Sequence, residues 1–123
     1  IGMEKKIQFR LNGELTEQTY REGNLSVDFF LYEEKDGRSV SYVYYQEDGK
    51  EYEKDDFSVS QNVTSLIDKT KEIESKGRTF SVPEKPELFL EEIYGPDWRV
   101  PIAGWSKERD VVKGGKGRRE RFT

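Results

Sequence analysis

The chain of 123 residues contains no cysteine and no histidine. The absence of cysteine excludes a disulfide framework and thiolate metal sites, although it leaves the cellular compartment open. The absence of histidine excludes Ser-His and Cys-His catalysis and every metal site that depends on imidazole. A metal ion bound by this chain would therefore be a hard cation held by oxygen ligands.

Long apolar runs are missing as well. Apolar residues make up 33% of the chain and charged residues 37%, and no apolar run approaches the length that crosses a bilayer, so we expect no membrane span. Aromatic residues reach 13%, and their large side chains should supply much of the buried area. The composition predicts a folded, highly polar domain with a small core rather than a disordered chain.

Charge is distributed unevenly along the sequence. Residues 107–123 contain seven basic and three acidic residues, a net charge of +4, although the whole chain carries −4. The preceding part is therefore acidic and repels nucleic acid, so we expect no nucleic-acid partner. We predict a single domain over residues 4–106 and a disordered, flexible basic tail over residues 107–123. A contact of this tail with RNA, acidic lipid or a partner protein is the alternative.

Alternation of apolar and polar residues predicts a β-meander. Residues 5–11 place Ile7, Phe9 and Leu11 on one face, and Asn12-Gly13 is a typical hairpin turn. Residues 25–32 form the most hydrophobic run of the chain and predict a central strand. Further strand candidates cover residues 15–21, 39–45, 51–53 and 78–82.

Helix signals are concentrated near residue 90. Pro86 suits the first turn of a helix, and Gly95 followed by Pro96 ends it. Residues 62–73 contain a weaker helix pattern with Leu66 and Ile67. The predicted fold class is therefore α+β: a mostly antiparallel meander of five to six strands with one C-terminal helix and a disordered basic tail.

Asp28 is the first candidate for chemistry. It is a lone carboxylate within the apolar run, between Val27 and Phe29. Burying its charge is costly unless a metal ion or a basic group binds it. The alternative is that alternation places Asp28 on the solvent face of the strand, opposite Val27 and Phe29.

A second candidate is the aromatic turn that follows the predicted helix. Tyr94, Trp98 and Trp105 are able to stack on a sugar ring or a base, and Arg99 lies among them. The alternative is structural, because the same rings would fasten the turn to the sheet.

Several blocks, taken in order, resemble the fukutin and LicD-like phosphotransferases. Residues 25–34 resemble a strand of that family in which an aspartate, matched by Asp28, lies between hydrophobic residues before Phe-Phe-Tyr-Glu-Glu. Residues 77–83, residues 94–101 and Trp105 are similar to later blocks. The resemblance covers residues 9–106 and corresponds to the C-terminal half of such an enzyme.

The resemblance implies a fold of the nucleotidyltransferase type and the transfer of a phospho-alcohol or a sugar phosphate from a CDP-linked donor to a glycan acceptor. It implies Mg²⁺ or Mn²⁺, with Asp28 as metal ligand or catalytic base and Tyr94, Trp98, Arg99 and Trp105 as substrate-binding residues. The family's earlier acidic pair and Gly-Ser motif have no counterpart before Asp28. We therefore expect a partial domain that is weak or inactive alone.

An interaction module is the competing hypothesis. A sheet that lacks its other half would expose an edge strand, and such an edge pairs readily with another chain. The expected partner is then a second copy of the chain or another protein. A carbohydrate-binding module using Trp98 and Trp105 is a further alternative.

Overall fold

The computed structural model describes residues 2–123, and within them the chain forms nine β-strands and one α-helix. The helix, α1, spans Pro86–Tyr94. The strands, in chain order, are β1 (Glu4–Leu11), β2 (Glu14–Glu22), β3 (Leu25–Phe30), β4 (Glu33–Lys35), β5 (Arg38–Tyr45), β6 (Asp56–Thr64), β7 (Thr70–Ser75), β8 (Arg78–Pro83) and β9 (Gly117–Arg121).

Seven strands form one sheet in the order β3-β2-β1-β9-β6-β5-β4, and β7 and β8 form a separate two-stranded sheet. The pairs β1–β2, β2–β3, β1–β9, β6–β9 and β7–β8 are all antiparallel. The prediction of a mostly antiparallel fold with one helix is confirmed. The predicted number of five to six strands was too low, because β4, β6, β7 and β9 were not predicted, and residues 51–53, predicted as a strand, do not form one.

Three tight hairpins share one backbone conformation. In the Asn12-Gly13, Asp36-Gly37 and Lys76-Gly77 turns, both central residues have positive φ, for example 50° and 88° in the first. Two consecutive residues with positive φ match the twist of antiparallel strands, and glycine adopts this conformation without steric cost. The hairpin predicted at Asn12-Gly13 is confirmed, since it joins β1 to β2.

The chain divides into two compact units. One contains the residues up to Glu33 together with Ser41–Asn62 and Arg109–Thr123, and the other contains Glu34–Val40 and Val63–Glu108. In the first unit Phe9 stacks on Tyr44 with ring centroids 4.6 Å apart, and Phe57 meets Phe9 edge-on at 5.4 Å. These rings provide the aromatic packing expected from the composition.

The hydrophobicity of β3 predicted a central strand. The structure places β3 at the edge of its sheet. Leu25 is 60% exposed and Phe29 is 52% exposed, whereas Val27 is half-buried. Burial depends on the elements that cover a strand, and hydrophobicity of the run alone does not report them. The prediction of a central strand was wrong.

The basic C-terminal stretch does not form a disordered tail throughout. Gly117–Arg121 forms β9 between β1 and β6, near the middle of the seven-stranded sheet. Arg119 pairs with Asp55 at 3.1 Å and Arg118 with Asp56 at 3.2 Å. Strand β9 has no apolar alternation of its own. It forms because its backbone pairs with both neighbouring strands and its arginines pair with acidic residues that are distant in sequence.

Helix α1 begins and ends where the sequence predicted. Pro86 lies in the first turn, and Gly95 follows the helix with φ of 90° and donates its N–H to the carbonyl of Glu91. The weaker helix predicted over residues 62–73 does not form, because that stretch contains the end of β6, a bend and the start of β7. Within residues 2–123, none of the helical structure is long and apolar enough to cross a membrane.

Candidate functional site

Asp28 lies on the edge strand β3, opposite Thr19 of β2. The Thr19 hydroxyl donates a hydrogen bond of 2.7 Å to Asp28 Oδ1 and so fixes the orientation of the carboxylate. Asp28 is exposed because β3 is an edge strand, although its face of the sheet also carries the buried Thr19, so the predicted solvent face is not observed. The aspartate is therefore accessible to a ligand and held by its neighbour.

Glu17 of β2 is a second carboxylate on the same face of the sheet. Cross-strand pairing joins Glu17 to Phe30 and Thr19 to Asp28, so Glu17 and Asp28 are diagonal neighbours on adjacent strands. Only 8% of Glu17 is exposed. Burial, together with the negative charge of Asp28, raises the pKa of Glu17 to about 7.

Tyr44 of β5 faces the same carboxylate. Thr16 donates its hydroxyl proton to the Phe9 carbonyl at 3.2 Å, so the close contact between the Tyr44 and Thr16 hydroxyls has Tyr44 as the donor. Burial raises the pKa of Tyr44, and the charge of Glu17 adds to this effect. Tyr44 therefore stays a neutral phenol beside the carboxylates.

No sequence motif distinguishes Glu17, which is one of 25 acidic residues. Its significance comes from the position of β2 between β1 and β3 and from the register that places it near Asp28. Within residues 2–123 no group of three or more acidic side chains is arranged to hold a metal ion. Two carboxylates, Glu17 and Asp28, are thus the protein oxygens that this site offers to a cation.

The predicted substrate-binding residues lie together in the second unit. Tyr94, Trp98 and Trp105 line a groove of ≈ 190 Å³, with Tyr94 and Trp105 ring centroids 5.2 Å apart. Arg99 lies over the Trp98 ring, with its guanidinium carbon 4.3 Å from the centroid, and pairs with Glu87 at 3.1 Å. Three of the four residues therefore form one aromatic groove, and Arg99 stiffens one wall of it.

A second apolar depression lies on the first unit, on the face of β2 and β3 opposite Glu17. Met3, Gln18, Tyr20 and Phe29 line this depression of ≈ 310 Å³, and Tyr20 and Phe29 meet edge-on at 5.7 Å. It borders the edge strand β3. Apolar surface beside an open strand edge is typical of a surface that binds an extended chain.

We compared the chain with models of protein families, with curated proteins and with solved structures, and none of them matches it.

Proposed function

We propose that this chain is part of a fukutin/LicD-like phosphotransferase. The activity proposed is transfer of a phospho-alcohol or a sugar phosphate from a CDP-linked donor to a glycan, with Mg²⁺ or Mn²⁺. The observation that carries the proposal is the environment of Asp28, the residue that matches the family's acidic position. Asp28 is accessible, oriented by Thr19 and accompanied by a second carboxylate on the same sheet face.

The proposed chemistry explains why carboxylates are needed. A divalent cation neutralises the charge that develops on the diphosphate during transfer, and carboxylate oxygens are the ligands such a cation prefers. Asp28 serves as metal ligand or as base for the attacking hydroxyl. Tyr94, Trp98 and Trp105 provide aromatic faces for a sugar or a base, with Arg99 fixed beside them.

The chain alone should be weakly active or inactive. A catalytic metal centre for phosphoryl transfer needs several protein oxygens as ligands. The Asp28 region supplies too few, since residues 2–123 contain no group of three acidic side chains able to hold a metal ion. Binding of a nucleotide is therefore a better test than turnover.

Calorimetric titration of the chain with CDP, with and without Mn²⁺, tests the proposal. We expect binding that depends on Mn²⁺ and that becomes about tenfold weaker or more in Asp28→Asn, because the variant removes a cation ligand while preserving size. Asp48→Asn, in an exposed turn, is the matched control and should bind as the natural chain does. An affinity for CDP that changes neither with Mn²⁺ nor with Asp28→Asn would contradict the proposal.

A second candidate function is favoured by the exposed edge of β3. This strand has a neighbour on one side only, and it presents Leu25 and Phe29 to solvent next to the depression described above. A non-catalytic interaction module would use this edge to add a strand from a second copy of the chain or from another protein.

Sedimentation analysis of the purified chain tests this second function. We expect self-association, and we expect Phe29→Lys to raise the dissociation constant about tenfold or more, since a buried lysine replaces an aromatic contact. Ile73→Lys, at an exposed position of β7, is the control. A chain that stays monomeric at high concentration excludes the homodimer form of this function.

A further inference from the structure

The aromatic groove of the second unit is held in shape by turns of its own backbone. The N–H of Val100 donates a hydrogen bond of 2.9 Å to the carbonyl of Asp97. The N–H of Trp105 donates one of 3.3 Å to the carbonyl of Ile102, and the Trp105 ring contacts that of Tyr94. The rings are therefore positioned in the free protein, which lowers the entropic cost of binding a ligand.

The groove presents its apolar surface to solvent. Tyr94, Val100, Ile102 and Trp105 all line it, and each of them is between 40% and 61% exposed. Grouped apolar surface of this kind is typical of a binding groove. Its volume of ≈ 190 Å³ lies below the about 300 to 1,000 Å³ of pockets for drug-sized molecules, so it fits a single ring rather than a whole nucleotide.

The charge in the groove is negative. Asp97 lines it and is exposed, and no basic side chain is among the described residues that line it. Arg99 does not line the groove, because its guanidinium lies over the Trp98 ring and pairs with Glu87 at 3.1 Å. A phosphate group in the groove would therefore face a carboxylate without a cation to offset the repulsion.

A neutral sugar ring matches both the aromatic and the acidic part of the groove. The C–H groups on the face of a sugar ring pack on aromatic side chains, and its hydroxyls donate hydrogen bonds. A carboxylate only accepts hydrogen bonds, and its charge makes those bonds stronger than bonds between neutral groups. Asp97 can thus accept a hydroxyl of a ring that stacks on Trp98 or Trp105.

We propose that Asp97 makes the aromatic groove selective for a neutral saccharide, the acceptor of the transfer, and excludes phosphorylated ligands such as the CDP-linked donor. This inference rests on the proposed phosphotransferase function and deepens it, because that function alone leaves the groove open to a sugar or a base. Asp97 is then a specificity-determining residue beside the four predicted substrate-binding residues.

Tryptophan fluorescence of the full chain tests this assignment, because Trp98 and Trp105 are its two tryptophans. The ligands are methyl α-glucopyranoside, its galactose epimer, α-glucosyl phosphate and CDP. We expect both methyl glycosides to change the emission and CDP to leave it unchanged. The α-glucosyl phosphate has the same ring as the methyl glucoside and should bind about fivefold to tenfold more weakly, because its phosphate is repelled by Asp97.

Two pairs of variants identify the groups responsible. Asp97→Asn keeps an acceptor oxygen without the charge, so it should abolish the preference for the methyl glucoside over the phosphate, whereas Glu92→Gln, exposed on α1, should retain it. Trp105→Ala should weaken methyl glycoside binding about tenfold or more, with Trp98 as the remaining reporter. Phe80→Ala, an exposed aromatic position of β8, is its control. Circular dichroism verifies that each variant is folded.

The outcomes separate this inference from the proposed function. Emission that changes with CDP, or a preference for the methyl glucoside that persists in Asp97→Asn, would overturn the role of Asp97 and leave the phosphotransferase proposal standing. Emission that neither methyl glycoside changes would overturn the saccharide assignment. The phosphotransferase proposal fails independently, in the calorimetric titration with CDP, Mn²⁺ and Asp28→Asn.

Discussion

Replacing Gly117 with alanine is expected to lower the free energy of unfolding by about 3 kcal/mol, the upper end of the usual cost of overpacking a core. Gly117 is the first residue of β9. A Cβ atom there would overlap the Tyr44 ring at Cδ1 and lie 3.0 Å from Val59 Cγ2. Tyr44 is stacked on Phe9, and Val59 is only 1% exposed, so neither side chain has space to move away.

Urea unfolding followed by circular dichroism measures this effect. Gly2→Ala is the matched control, because its Cβ would meet only the flexible end of Glu22, at 3.2 Å. The control should unfold at nearly the same urea concentration as the natural chain. Equal midpoints for Gly117→Ala and the natural chain would mean that β9 does not pack against Tyr44 in solution.

The second large effect is a pH dependence caused by Glu17. Because the folded state raises the pKa of Glu17 from 4.5 to about 7, the folded protein binds this proton more tightly than the unfolded chain does. The contribution of protonated Glu17 to the free energy of unfolding is therefore fully present below pH 4.5 and is lost as the pH rises through 7. At about 1.4 kcal/mol per pH unit, the rise from 4.5 to about 7 sets an upper limit of about 3.5 kcal/mol on this loss, and screening by solvent lowers it to about 2 to 3 kcal/mol.

Glu17→Gln isolates this contribution, since glutamine keeps the shape and cannot ionise. The difference in unfolding free energy between the variant and the natural chain should grow in favour of the variant between pH 5 and pH 8, by about 2 to 3 kcal/mol. Urea titrations across this range measure it, in the absence of divalent cations. Glu14→Gln should show no such trend. If the free energies of unfolding of Glu17→Gln and the natural chain change with pH in parallel, Glu17 does not cause the pH dependence.

Local signals in the sequence predicted the features that depend on nearby residues. Asn12-Gly13 predicted a hairpin, and Pro86 and Gly95 predicted both ends of α1, because the conformational limits of glycine and proline act within a few residues. Features that depend on distant partners were not predictable. Strand β9 is held by pairing with β1 and β6 and by ion pairs such as Arg119 with Asp55.

The same contrast between nearby and distant determinants holds for the residues of the candidate site. Asp28 was identifiable from sequence because a charge within an apolar run is unusual, whereas Glu17 belongs to a strand with weak alternation and many acidic neighbours. Its burial follows from the location of β2 between two other strands. Tyr94, Trp98 and Trp105 line one groove, and they lie together because they are close in the chain.

The location of β9 also has a consequence for synthesis. Strand β9 follows the other eight strands in chain order, yet it lies between β1 and β6. Until the ribosome has synthesised residues 117–121, β1 and β6 each have one side without a partner, so the sheet remains in two parts. Such unpaired edges expose a growing chain to pairing with other chains, and the two parts join only when β9 becomes available.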